Sequence, residues 1–327
     1  MVKMRGDQLL MTDEERWRAS IDQIYTYGNS QYPEWRVVAV KSIRKLLLNL
    51  EEFYGDMLPD LEYEGSQVDI VHGQIRNGWF YEAISQAEQA IEDLFSTMMN
   101  LENLSYFAKN VVQYNATKVK KYIWKFDVED LEYICGQFRV PYFPLDEVWE
   151  KEKVFDSYKE AVLRTQGYLK ELKEFHRKYY VDYCQYKHGL AVALSPAENP
   201  IMKGDAERIN SILKKPEKCG LWTFHQGTVG DYEKRTGSLP AMGIILKQDM
   251  QAHVRELHDE GNLLYHTIHL ADIDEIVSIT EKACILLNVL WKNIIGVCME
   301  KGTDDFREVA FPSETLKRYF VIGFPRD

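Results

Sequence analysis

Between Asp146 and Lys187 apolar and aromatic side chains return at intervals of three, four and seven. Val148, Phe155, Tyr158, Val162, Leu169, Leu172, His176, Tyr179, Tyr183 and Tyr186 fall on one stripe. That period belongs to a helix with one buried seam. At 1.5 Å per residue the stretch predicts a single helix of roughly 60 Å. A matching stripe of Ile276, Ile279, Ala283, Leu287, Leu290, Ile294 and Val297 follows Asp272 and Asp274, which stand where a helix is capped. Two such seams are expected to pack antiparallel in one bundle.

Helical spacing continues toward the N-terminus. A first helix is expected from Thr12, where Thr12-x-x-Glu15 has capping-box spacing, to about Gly28. A second should begin near Pro33 and run through Val37, Val40, Leu47, Leu50 and Tyr54, stopping before Pro59. The third opens at Ser66-x-x-Asp69 and carries Phe80, Ala83, Ala87, Ile91, Leu94 and Met98. Leu104 to Phe126 reads as a fourth, and Asp127 to Phe138 as a short fifth with acidic residues near its N-terminus, where the helix dipole favours them.

Pro141-Tyr142-Phe143-Pro144 then interrupts the pattern and is the expected boundary. At 327 residues the chain has room for two domains. The expected division is an N-terminal helical bundle over 1–143 and a C-terminal bundle over 144–327 with a strand-bearing insertion around 190–270. Within that insertion Ala241 to Lys247 and Leu263 to Leu270 read as strands, and Leu221 to Phe224 more weakly. The fold class is therefore mainly α, with helical bundles and a small β-containing insertion in the C-terminal half.

Charge and cysteine usage restrict the surroundings. The net charge of −11 repels nucleic acid and anionic membranes on average, so RNA is disfavoured as a partner unless a local basic patch exists. Lys118, Lys120, Lys121 and Lys125 form the first candidate patch, and Lys170, Lys173, Arg177 and Lys178 the second; each also reads as the solvated face of a helix. Five cysteines, an odd number without a C-x-x-C pair, argue for a reducing cytoplasm. No window reaches the ~20 apolar residues of a spanning helix, so no membrane partner is expected.

Motifs for common chemistries are missing. His266-x-x-His269 and His253-x4-His258 are the only close histidine pairs, neither with a third ligand in sequence, and no metal is expected. Gly227-Thr228-Val229-Gly230 lacks the spacing of a phosphate-binding loop, there is no G-x-G-x-x-G, and no cofactor is expected. The segment most suggestive of chemistry is Phe175 to Gly189. There His176, Tyr180, Tyr183 and Lys187 recur at four, three and four, with His188 and Gly189 at the end. Imidazole, ammonium and phenol on one face could exchange protons or hold an anion. Equally, tyrosines on a helix stripe bury their rings, and cations favour a helix C-terminus.

A long helix ending in Tyr186-Lys187-His188-Gly189, then a strand-bearing insertion and a final amphipathic helix, resembles uncharacterised bacterial helical proteins related to the HEPN superfamily. The resemblance spans Asp146 to Val297 and implies a helical-bundle fold. Many members are metal-independent ribonucleases of toxin-antitoxin, abortive-infection and other defence systems. Catalytic members carry R-x4-6-H, which this chain lacks: ten residues separate Arg177 from His188, about 16 Å along a continuous helix. The resemblance thus implies a member without the catalytic pair.

The leading expectation is a non-enzymatic protein that binds a partner protein or a second copy of itself, within a bacterial defence or toxin-related setting. The alternative from another class is a metal-independent RNA-processing enzyme with catalytic candidates His188, Lys187, Arg177, His176 and Tyr183. A third is a small-molecule sensor.

Overall fold

The computed structural model describes residues 13–57, 66–143, 153–187, 192–193, 215–227, 263–298, 306–312 and 319–325. Among these the chain is mostly helical. The helices are α1 (Asp13–Ser30), α2 (Glu34–Leu47), α3 (Leu50–Met57), α4 (Ser66–Leu101), α5 (Phe107–Val112), α6 (Ala116–Lys125), α7 (Leu131–Gln137), α8 (Lys153–Lys187) and α9 (Ile273–Cys298), with a 3-10 turn at Leu104–Tyr106. The strands are β1 (Val192–Ala193), β2 (Lys218–Gly227), β3 (Leu263–Asp272), β4 (Phe306–Pro312) and β5 (Tyr319–Pro325). They form an antiparallel sheet in the order β1-β2-β3 and a separate antiparallel β4-β5 pair.

Backbone proximity divides the chain into two compact units. The first comprises Met1–Pro33, Ile91–Lys173 and Lys282–Asp327; the second comprises Glu34–Ala90 and Glu174–Glu281. Helices α4, α8 and α9 each contribute residues to both.

The long seams behave as their spacing requires. Tyr158, Val162, Leu169, Leu172, Tyr179 and Tyr183 of α8 are all buried, as are Ile276, Ile279, Ala283, Leu287, Leu290 and Ile294 of α9. The described part of α8 has 35 residues, roughly 53 Å; residues 146–152 of the expected helix lie outside the described residues. Within the first unit Lys282 meets Glu171, while Val289 lies with Val162 and Thr165 around a small cavity. Numbering falls along one helix as it rises along the other, the expected antiparallel sense. Asp272 Oδ1 accepts from the Asp274 amide at 2.9 Å and so occupies the capping position.

Several helices stop where side chains take over backbone hydrogen bonds. The expected second helix is two, because the amide of Asn49 turns back to the Leu46 carbonyl at 3.0 Å while its side chain donates to Lys45 O at 2.7 Å. The Asn49 carbonyl then accepts from Phe53 N and starts α3. The expected fourth helix is likewise divided. Asn115 leaves helical geometry, and its side chain accepts from Lys118 N, opening α6 afresh. The fifth begins later than expected, since Asp130, not Asp127, is the cap, accepting from Tyr133 N at 2.9 Å. It ends with Arg139 at φ 57, a left-handed position usually given to glycine. The Val140 amide closes back on Cys135 O at 2.9 Å, and the Arg139 guanidinium donates to Leu101 O at 2.6 Å, which fixes the turn without glycine.

Gly28 does not end α1, which continues to Ser30. A Cβ there would lie 2.7 Å from the Trp291 ring, so the glycine serves close packing. Tyr27, Phe107 and Trp291 meet around this contact with ring centroids 5.5 to 6.0 Å apart. The first unit's core continues through Phe95, Val119, Ile123, Ile134 and Phe138.

In the second unit β2 pairs with β3 in a register running from Lys218↔Asp272 to Gly227↔Leu263. The expected strands at Leu221 to Phe224 and Leu263 to Leu270 lie in this pair, while Ala241 to Lys247 lies outside the described residues. The β4-β5 pair was not foreseen, although Val309, Phe311, Tyr319 and Val321 alternate as strand residues do. It is tied to α8 by Arg164 Nη1, which donates to Pro312 O at 3.1 Å.

Candidate functional site

Within the second unit, α4 and α8 bury a set of polar side chains against one another. The Nδ1 of His176 lies 2.7 Å from Oε2 of Glu88, and both side chains are wholly inaccessible. The other ring nitrogen, Nε2, is buried with no hydrogen-bond partner among the described residues. Ser85, Asn77 and Asp182 are buried nearby in sequence on the same two helices.

Along α8 the segment forms a ladder of rings. The His176 and Tyr180 rings are 4.6 Å apart, Tyr180 and Tyr183 are 6.3 Å apart, and Lys187 Nζ stands 5.6 Å from the Tyr183 centroid. Helical spacing brings these four together in the expected order. Tyr186 stacks on Tyr81 with planes only 11° apart, and its hydroxyl donates to Glu82 Oε2 at 3.3 Å. Burial and then the Glu82 charge push the Tyr186 phenol above its ordinary pKa. Tyr179 donates to Leu270 O at 3.2 Å. Burial, reinforced by Glu275, Asp182 and Asp272, holds that phenol well above its ordinary value.

The strand pair supplies the remaining polar contacts. Cys219 Sγ donates to Asn77 Oδ1 at 2.8 Å, and burial pushes the thiol up to about 12 against the lowering effect of Arg76. The Arg76 guanidinium donates to the carbonyls of Lys215 and Lys218. These are groups held neutral or anchored to backbone, which suits fixed architecture more than proton exchange with solvent.

Among the four described catalytic candidates, burial differs along the helix. His176 and Tyr183 lie on the buried face, Lys187 is exposed at the end of the helix, and Arg177 is exposed. His188 lies outside the described residues. His176, at 0% exposure, cannot touch a substrate arriving from solvent. Its partner Glu88 was missed by sequence reasoning because 88 positions separate the two. A signal was available: Glu88 interrupts the apolar row Ile84, Ile91 and Phe95 of α4, where a charge requires a buried partner.

A group of three or more His, Cys, Asp or Glu side chains placed for a metal does not occur among the described residues. In the first unit, Ile134, Cys135, Phe138, Val140, Val162, Thr165 and Val289 line a cavity of about 10 Å³, space for about one water. A metabolite does not fit there. Among the described residues no helix is long and apolar enough to cross a membrane.

The fold and this interior define a mainly α protein with a buried polar seam between helices. Comparison with known protein families, with curated proteins and with solved structures returned no match.

Proposed function

We propose that this chain acts by binding, to a partner protein or to a second copy of itself, in the cytoplasm. Trp35 and Val38 carry the proposal: they are 59% and 48% exposed, one helical turn apart on α2. The opposite face of α2 buries Val40, Ile43 and Leu47. Arg36 Nη1 donates to Gln86 Oε1 at 3.2 Å and Gln89 Oε1 at 2.9 Å, locking the helix onto α4. An indole and a valine are thus displayed on a rigid support, and tryptophan is the side chain most enriched among interface residues that dominate affinity. If the resemblance to HEPN-related proteins holds, the partner would belong to a bacterial defence or toxin-related system.

Sedimentation velocity of the full chain over a wide concentration range, paired with in-cell cross-linking, tests this. A concentration-dependent dimer or a cross-linked protein neighbour that disappears in Trp35→Ala and Val38→Asp is expected. A monomer at every concentration, with cross-linked neighbours unchanged by both substitutions, would overturn it.

A further inference from the structure

From Asn103 to Phe126 the chain contains five lysines and no acidic residue, within a molecule of net charge −11. Four of the five lysines are on one helix, α6. Val119 and Ile123 of α6 are buried, leaving Lys118, Lys121, Trp124 and Lys125 exposed on the opposite side. Lys120 Nζ lies 4.5 Å from the Trp124 ring centroid, and the indole is 58% exposed. Tyr114, just before the helix, is 50% exposed, and Tyr106 is 43% exposed with Lys109 Nζ 5.8 Å from its ring.

The platform is held at both ends. Asn115 caps the N-terminus, and at the C-terminus Lys173 donates to the Phe126 carbonyl. Acidic groups border the platform and several are engaged by its neighbours. Glu102 lies beside Tyr122 and Tyr133, Glu92 accepts from the Tyr114 hydroxyl at 3.2 Å, and Glu129 is engaged by Lys170 at 2.9 Å.

We infer that this face of α6 binds single-stranded nucleic acid, with Lys118, Lys121 and Lys125 meeting phosphates and Trp124 offering a ring to a base. Three considerations favour that occupant. Lysines interleaved with exposed aromatics are the combination that follows a single strand, charge for the backbone and a π-face for the bases. Lysine is depleted at protein interfaces, which makes an acidic protein the poorer match. An anionic membrane attracts lysines but takes up a helix through its apolar face, and that of α6 is committed to the core, which leaves the exposed indole better matched to a base.

The test is a fluorescence-anisotropy titration of the full chain with labelled mixed-sequence single strands, RNA and DNA in separate arms. Duplexes of the same sequence, phosphatidylserine vesicles and polyglutamate serve as competing polyanions. Expected is a preference for single strands, with log K falling against log salt at a slope of about −2, as three phosphate contacts give. Trp124→Ala should weaken binding roughly ten-fold, the effect of one lost base stack. The triple variant K118E/K121E/K125E should abolish it, while Lys45→Glu, an exposed lysine of α2, should change nothing. Because all four α6 positions are exposed, circular-dichroism melting should confirm that the variants remain folded, and Trp124→Ala alone decides the matter if the triple variant does not. Absence of binding at low salt, equal binding by Trp124→Ala and the parent, or tighter binding to duplex, vesicles or polyglutamate would overturn the inference.

Discussion

His176 and Glu88, on two different helices, meet through a 2.7 Å contact in an interior where neither side chain is exposed. Two groups that prefer water have been taken out of it together, and each supplies a polar partner to the other. Glu88→Ala should therefore cost roughly 3 to 5 kcal/mol, because it leaves a buried imidazole without its partner. Urea unfolding of the two proteins at neutral pH measures the difference. A Glu88→Ala/His176→Phe double variant should recover part of the loss, and a double variant no more stable than Glu88→Ala would show that the pair is not the unit of stability.

Gly28 and Trp291 give a case in which two effects compete. Glycine inside a helix costs roughly 0.5 to 1 kcal/mol against alanine, so Gly28→Ala ought to stabilise an isolated helix. Here the added methyl would sit 2.7 Å from Trp291 Cε3 and 3.2 Å from Ile295 Cδ1. Overpacking of this kind costs roughly 1 to 3 kcal/mol, which outweighs the propensity gain. A melting temperature below that of the parent is expected; one above it would mean that the indole shifts at little cost.

Asp272 joins the end of the β2-β3 ladder to the start of α9. Burial alone would raise its carboxyl, but hydrogen bonds from Lys218 and from the amides of Asp274 and Glu275 bring it below the ordinary value of 3.8. A carboxyl depressed in the folded state adds stability that is present above its unfolded pKa and is lost as pH falls through the folded one. Asp272→Ala should thus lower stability at neutral pH by about 0.5 to 2 kcal/mol, the usual effect of a lost cap. The gap between variant and parent should narrow below pH 3.8. Denaturant midpoints measured at neutral and acid pH check both the size and the direction.

The thiols of Cys135 and Cys219 should be inert in the folded protein. They are 3% and 2% exposed, and burial pushes them up to about 11 and about 12. The thiolate is the reactive form, so iodoacetamide should leave both unmodified natively and label both in denaturant. Cys184, half-buried, should react before either. Mass-spectrometric peptide mapping distinguishes the three, and rapid native labelling of Cys219 would contradict its packing against Asn77.

The sequence by itself determined the helices and their inner faces, because a buried stripe on a helix must repeat every three or four residues whatever it packs against. Tyr158 through Tyr183 on α8 and Ile276 through Ile294 on α9 are buried in the order their spacing requires. Only the tertiary structure decided where helices break and which polar groups meet. Asn49 turns the chain out of α2 and Asn115 opens α6 through hydrogen bonds of their own side chains, which apolar periodicity does not register. The role of His176 depended on Glu88, brought to it by packing α8 on α4; composition and spacing left it equally readable as an exposed acid-base group. Periodicity reports which face of an element is dry, whereas partnership inside that dry face is set by contacts between residues far apart in the chain.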